Sequence, residues 1–353
     1  MIEEEFESWI PPFFMIERKR TMKSSIRFSI KFIIGLILLF AMFIVAMVFG
    51  AAETSVQDVW NALFSQLKSD QINILREIRF PREVGAIVVG AALAVSGAIM
   101  QGITRNPLAD PGLLGLTSGA NAALAVTLAF LPAINYLGIT IACFIGAAVG
   151  AIMVFSIGAM KKGGFSPFRI VLAGAAVSAL LYAISDGVGI YFKVSKDVSM
   201  WTAGGLIGTS WNQLYIIIPF ISIGVFIALL LSRQLTILSL NEEVAIGLGQ
   251  KTVLIKTVLF IVVILLAGAS VALVGNMAFV GLMVPHIVRA IVGTDYRFII
   301  PMSVISGAIL MLIADTLGRT INIPYETPVA AIIAIMGLPF FLLIVRKAGG
   351  AFQ

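Results

Sequence analysis

Ten predominantly apolar stretches, each about 20 residues long, divide this chain. They fall at about residues 30–51, 83–103, 112–131, 135–158, 168–192, 213–232, 255–275, 277–293, 298–317 and 327–345. A helix needs roughly 20 apolar residues to cross about 30 Å of hydrocarbon. In lipid the backbone must also satisfy its own hydrogen bonds, which only helices and closed barrels achieve. Composition agrees: 59% of the 353 residues are hydrophobic and only 12% charged, against about 25% charged in soluble chains. The expected fold is all-α, a polytopic membrane protein with about ten transmembrane helices. Pro285, His286 and Arg289 interrupt the eighth stretch. The third and eighth are therefore expected as short or broken helices sheltered within protein.

The net charge of +6 reads as the cationic bias of cytoplasmic loops rather than a nucleic-acid surface. With the N-terminus inside, only Lys68, Arg76, Arg79, Arg82, Lys193, Lys196 and Arg319 of the 24 Lys and Arg fall on outer segments. Lys161, Lys162 and the rest fall inside. Both termini are therefore expected in the cytoplasm. The chain divides into an N-terminal tail (1–29), a ten-helix domain (30–347) with a long inner loop at about 233–256, and a C-terminal tail (348–353). The first apolar run exceeds the 7–15 residues or so of a signal-peptide core and is expected as an uncleaved span; Met15 and Met22 are alternative starts. Cys143 and His286 are each the sole residue of their type. That excludes an internal disulfide and a Cys cluster for a metal, and it leaves no nucleophile–base pair for an intramembrane enzyme. A structural hydrogen bond is the expected role of His286.

The inner loop carries Asn241–Thr252, NEEVAIGLGQKT, which superficially resembles a phosphate loop. Gln250 separates Gly249 from Lys251, and a span rather than a strand precedes the stretch, so the pattern fails. Glu242, Val244, Ala245 and Leu248 instead predict a short amphipathic helix, with Gly247 and Gly249 turning the chain after it. A helix at the cytoplasmic face suits docking of a partner. At the other side Arg79 and Arg82 flank Pro81. Arginines there either snorkel to headgroups or, against the positive-inside trend, meet a carboxylate-bearing partner. Gly90, Ala94 and Gly97 give the second span a smooth face for close packing. Asp110 is placed to cap the segment after Pro111. Asp315 and Arg319 stand at i, i+4, as a local pair. Asp186 in the fifth span keeps two readings, a wall of a wet pathway or a hydrogen-bonded structural role.

The stretch from Arg79 to Ala123, with RFPR, GAALAVSGAIMQ and NPLADPGLLG, resembles the FecCD-type permeases of ABC importers for iron–siderophore complexes, haem and cobalamin. The resemblance continues through WTAGGLIGTSW (201–211), EEVAIGLG (242–249), AFVGLMVPHIVRAIVGTDYRFIIP (278–301), ADTLGRT (314–320) and PYETP (324–328). It implies a ten-span permease of the cobalamin-uptake type that pairs with a second permease, as homo- or heterodimer. It further implies two ATP-binding-cassette ATPases, which use ATP and Mg, and an extracytoplasmic substrate-binding protein; no cofactor is implied for this chain. By the same resemblance Glu242, Glu243, Ala245, Gly247, Leu248 and Gly249 form the coupling helix that seats in the ATPase. Arg79, Arg82 and Arg319 pair with glutamates of the binding protein.

The function expected is import of a ferric chelate across the cell membrane by alternating access. The alternative is an ion-coupled secondary transporter of a metal chelate or cobalamin-type substrate. That class needs buried ionisable residues for its coupling ion, and the chain offers little beyond Asp186 and His286.

Overall fold

The computed structural model describes residues 12–50, 54–65, 69–159, 167–203, 205–323 and 325–349. Residues 1–11 and 350–353 of the expected tails, together with Lys68, Lys161, Lys162, Gly204 and Pro324, lie outside the described residues. Among those described, helices are the regular elements: α1 (Pro12–Val48), α2 (Val56–Phe64), α3 (Asp70–Ile74), α4 (Phe80–Thr104), α5 (Leu116–Phe130), α6 (Tyr136–Ala159), α7 (Pro167–Tyr191), α8 (Ser195–Ala203), α9 (Trp211–Leu230), α10 (Ser232–Leu240), α11 (Glu242–Gly247), α12 (Thr252–Val274), α13 (Val280–Val292), α14 (Tyr296–Thr320) and α15 (Val329–Gly349). A π-helical turn, Leu75–Arg79, joins α3 to α4, and a 3₁₀ turn, Pro111–Leu114, leads into α5.

Each of the ten apolar stretches contains one helix. Among the described residues seven are long and apolar enough to cross a bilayer, Leu116–Phe130 and Val280–Val292 are shorter, and α15 runs for 21 residues. The two shorter helices are the third and eighth, whose weakness the sequence announces. In the third, Asp110 accepts a hydrogen bond from the Gly112 N–H (2.7 Å) and caps the 3₁₀ turn, so α5 starts only at Leu116. At its other limit the first helix extends further than expected. It begins at Pro12, within the assigned tail, where Glu17, Arg18, Lys19 and Arg20 are good helix formers.

The core is built around α4. Of its most apolar stretch 89% is buried, against 17% for α1, so α4 is the central post and α1 lies at the periphery. Membrane helices have little hydrophobic force to join them and associate by close van der Waals packing, which favours small residues at the contact. The Gly90–Ala94–Gly97 face serves this purpose. A Cβ on Gly90 would overlap the Gly307 carbonyl of α14, and one on Gly97 would overlap the Gly281 carbonyl of α13. The short α13 is thereby held against α4, with Val280, Gly281, Leu282, Met283 and Val284 buried.

α4 and α14 run antiparallel, each 25 residues long. At 1.5 Å per residue each spans about 37 Å. Their two ends define the two ends of the molecule: Arg82 at the start of α4 lies beside the end of α14, and Thr104 at its finish lies near α10 and α11.

Candidate functional site

The first site lies where α1, α4 and α14 meet. The π turn carries Arg79, and the first turn of α4 carries Arg82 and Glu83. The last turns of α14 carry Asp315 and Arg319. Arg82 directs Nε and Nη2 at Asp315 (3.0 and 2.9 Å to Oδ1) and Nη1 at both oxygens of Glu326 (3.0 and 2.9 Å). Arg319 donates from Nη2 to Glu83 Oε1 at 2.5 Å and to the Ala46 carbonyl at 3.2 Å. Its Nε stands 2.9 Å from Asp315 Oδ2, a charge contact at i, i+4. Arg79 Nη1 donates to the Met47 carbonyl (2.8 Å) and to Thr54 Oγ1 (2.6 Å). A cation is favourable at the C-terminal end of α1, where carbonyls lack intrahelical partners.

All three arginines predicted to meet a partner thus converge, but they are nearly enclosed: Arg79 is 6% exposed, Arg82 9% and Arg319 4%. Their charges are balanced within the chain by Glu83, Asp315 and Glu326. Such a cluster is tolerable in a dry setting only because each charge has an opposite neighbour. Removing one member of a buried pair typically costs about 3–5 kcal/mol. Glu83 Oε2 is buried and accepts no hydrogen bond among the described residues. Sequence reasoning missed Glu83 and Glu326. Glu83 adjoins Arg82, but neighbours at i, i+1 point to different faces of a helix, and Glu83 turns to Arg319. Glu326 sits in the PYETP motif without any spacing that ties it to Arg82.

The second site lies at the opposite end. Asn241 caps α11 by accepting from the Glu243 N–H (3.1 Å). Ala245 is fully buried, whereas Val244, Ile246 and Leu248 are 47%, 57% and 66% exposed. Glu243 and Gly247 are exposed beside them. Ala245 is therefore the anchor of the predicted coupling helix, and the open face belongs to its neighbours. The turn after the helix is made at Gly249, whose φ of +79° favours glycine, with the Gln250 N–H returning to the Ala245 carbonyl (2.9 Å). Gly247 is the last helical residue rather than part of the turn.

Two contacts fasten this loop to the core, and a third joins α4 to α13 nearby. Lys256 of α12 is buried and reaches Glu242 at 2.5 Å. Thr236 of α10 donates to Asp295 Oδ1 (3.0 Å) and accepts from the Tyr296 N–H (2.9 Å), tying α10 to the start of α14. On α4, Gln101 holds the α13 carbonyls of Gly281 and Leu282 (both 3.2 Å) and accepts from Arg289.

Between the two ends, a cavity of about 260 Å³ opens beside α5, α7 and α12, bordered by Asp110, Thr117, Tyr182 and Asn276. Asp186 is exposed on α7, one turn beyond Tyr182. His286 packs edge-on against Phe340 with ring centroids 5.6 Å apart.

The profile of the FecCD transport family matches residues 37–347. The chain is 42% identical over 299 residues to the iron(3+)-hydroxamate import system permease protein FhuB of Bacillus subtilis, covering 84% of this chain and 78% of that one. It is 40% identical over 309 residues to the iron-uptake system permease protein FeuB of the same organism, covering 87% and 92%. To the hemin transport system permease protein HmuU of Yersinia pestis it is 37% identical over 309 residues, covering 84% and 90%. Among solved structures, an inward-facing metal-chelate type ABC transporter matches with a TM-score of 0.80 at 26% identity, covering 90% of this chain and 99% of that one.

The helices long and apolar enough to cross a bilayer, together with the family match over residues 37–347, make this a multi-pass membrane permease. The chain belongs to the FecCD transport family. It is a permease subunit of an ATP-binding-cassette importer, not itself an enzyme; ATP use in such importers belongs to a partner ATPase.

Proposed function

We propose that this permease imports a ferric chelate, receiving it from an extracytoplasmic binding protein at the arginine cluster and drawing on ATPase subunits through α11. The chelate class is supported by the relatives, which are named for iron(3+)-hydroxamate, iron(3+)-citrate and hemin. The observation that carries the reading is the mechanical link between the two ends. α4 and α14 cross with backbones in contact at Gly90 and Gly307, so they move as one body.

At the docking end, Arg79, Arg82 and Arg319 offer the fork geometry that recognises carboxylates. At the other end, Glu243, Val244, Ile246 and Leu248 form an acidic and apolar face for a cleft in the ATPase. Movement of α11 passes to α12 through Lys256–Glu242, and to α14 through α10 and the Thr236–Asp295 contact. A second permease packs along the exposed side of α7, so that Asp186 and Tyr182 border the pathway between the two copies. On this arrangement α11 and both termini are cytoplasmic.

The test is uptake of iron-55 by proteoliposomes holding the complete importer, supplied with binding protein and ferric hydroxamate, ferric citrate or hemin in turn. ATP-dependent accumulation of one of these chelates is expected. Accumulation driven by a proton or sodium gradient without the ATPase would contradict the reading.

A further inference from the structure

We infer that Glu326 is an internal stand-in for the partner's carboxylate: it occupies the seat on Arg82 that the binding protein takes on docking, and must leave for docking to proceed. The inference rests on the docking role proposed for the cluster.

The three carboxylates of the cluster are not equivalent. The side chains of Asp315 and Glu83 are 0% exposed and sit on the helices α14 and α4. That of Glu326 is 29% exposed and sits on the loop between α14 and α15. The division on Arg82 follows the same line. Its Nε and Nη2 face the enclosed Asp315, and its Nη1 faces Glu326. A carboxylate arriving from solvent therefore meets the position of Glu326 first. Exchange costs little, because the guanidinium keeps an opposite charge throughout and the departing carboxylate is already partly hydrated. Displacing Asp315 or Glu83 instead would strand a buried charge.

The loop that Glu326 holds also leads into α15. Thr327, its neighbour, donates its N–H to the Gly318 carbonyl of α14 (2.8 Å), and a Cβ on Gly318 would come within 2.6 Å of the Thr327 carbonyl. Residue 329 already begins α15. The loop is thus pinned at two adjacent points, Glu326 to Arg82 and Thr327 to α14. Withdrawal of Glu326 removes one pin and loosens the entry to α15, which converts docking into a structural change in the membrane domain.

The experiment uses the complete importer in nanodiscs and the binding protein that supplies it, loaded with ferric chelate, with affinity read by biolayer interferometry. E326Q keeps the shape and removes the competing charge; it should tighten binding about fivefold, the scale of a partly exposed ion pair. E77Q, a neutralisation of an exposed residue at the same end, should leave affinity unchanged. Unchanged or weaker binding by E326Q overturns the inference, as does equal tightening by E77Q, which would mark a general charge effect. The double variant R82Q–D315N removes one charge of each sign and keeps the cluster neutral. If it binds as the parent does, the docking role itself fails; if it loses binding while E326Q does not gain, docking stands and only the stand-in role falls.

Discussion

Gly90 and Gly307 touch through their backbones, and the contact makes α4 and α14 a single unit. A methyl at Gly90 would overlap the Gly307 carbonyl and come 2.7 Å from Met311 Cβ; one at Gly307 would meet Ala94 Cβ at 2.6 Å. Neither neighbour is the end of a flexible side chain. G90A and G307A should each cost about 1–3 kcal/mol through overpacking. G247A is the control, since a Cβ there meets nothing within 4 Å. Thermal unfolding in detergent should show the first two lowered and the third unchanged.

Lys256 and Glu242 form the fastening of α11. The Lys256 side chain is 8% exposed and that of Glu242 35%, so loss of the carboxylate leaves an almost enclosed ammonium without its ion-pair partner. E242Q should loosen the 241–251 loop, seen as faster proteolysis there, and K256M–E242Q should recover much of the loss. The coupling energy expected from the cycle is about 1–2 kcal/mol, between that of a surface pair and a buried one. Additive effects of the two changes would show that the pair does not hold the loop.

The open face of α11 should govern association with the ATPase. E243K and L248D alter exposed residues and leave Ala245 in place. Both should insert and melt as the parent does, while ATPase co-purification falls at least about tenfold, a loss of roughly 1.4 kcal/mol or more. Full co-purification by both variants would move the contact elsewhere.

Acid should release α10 from α14. Partial burial alone would raise the Asp295 carboxyl, but hydrogen bonds from the Arg297 side chain and N–H and from Thr236 outweigh it and hold the group below the usual 3.8. A depressed folded-state value means the stabilisation is complete above the unfolded value and is lost as pH falls through the folded one. Hydrogen exchange of the first turn of α14 should therefore rise below about pH 4. In D295N that acid step should vanish, and a parent profile that is flat in this range would contradict the assignment.

The spans were legible because apolar length is a local property. The two shortenings visible in advance follow from residues in place, Asp110 and Pro111 before α5 and the Pro285–His286–Arg289 interruption in α13. The glycine face of α4 was legible as a face, but not its partners, Gly307 and Gly281. The ionic cluster was half legible. RFPR and ADTLGRT mark the arginines, yet Arg82 meets Asp315 across 233 residues and Glu326 across 244. Contacts at that separation leave no periodic trace. Their burial, the property that most changes how docking must work, arises only when three helices converge.

Sidedness is the claim on which docking, coupling and transport direction all depend. In a Cys143→Ser background, single cysteines replace Tyr325 near the arginine cluster and Leu248 beside α11, which are 73% and 66% exposed. A membrane-impermeant maleimide is then applied to intact, wall-stripped cells. Labelling of Y325C in intact cells, and of L248C only after permeabilisation, is the predicted result; labelling of L248C in intact cells with Y325C protected would contradict it.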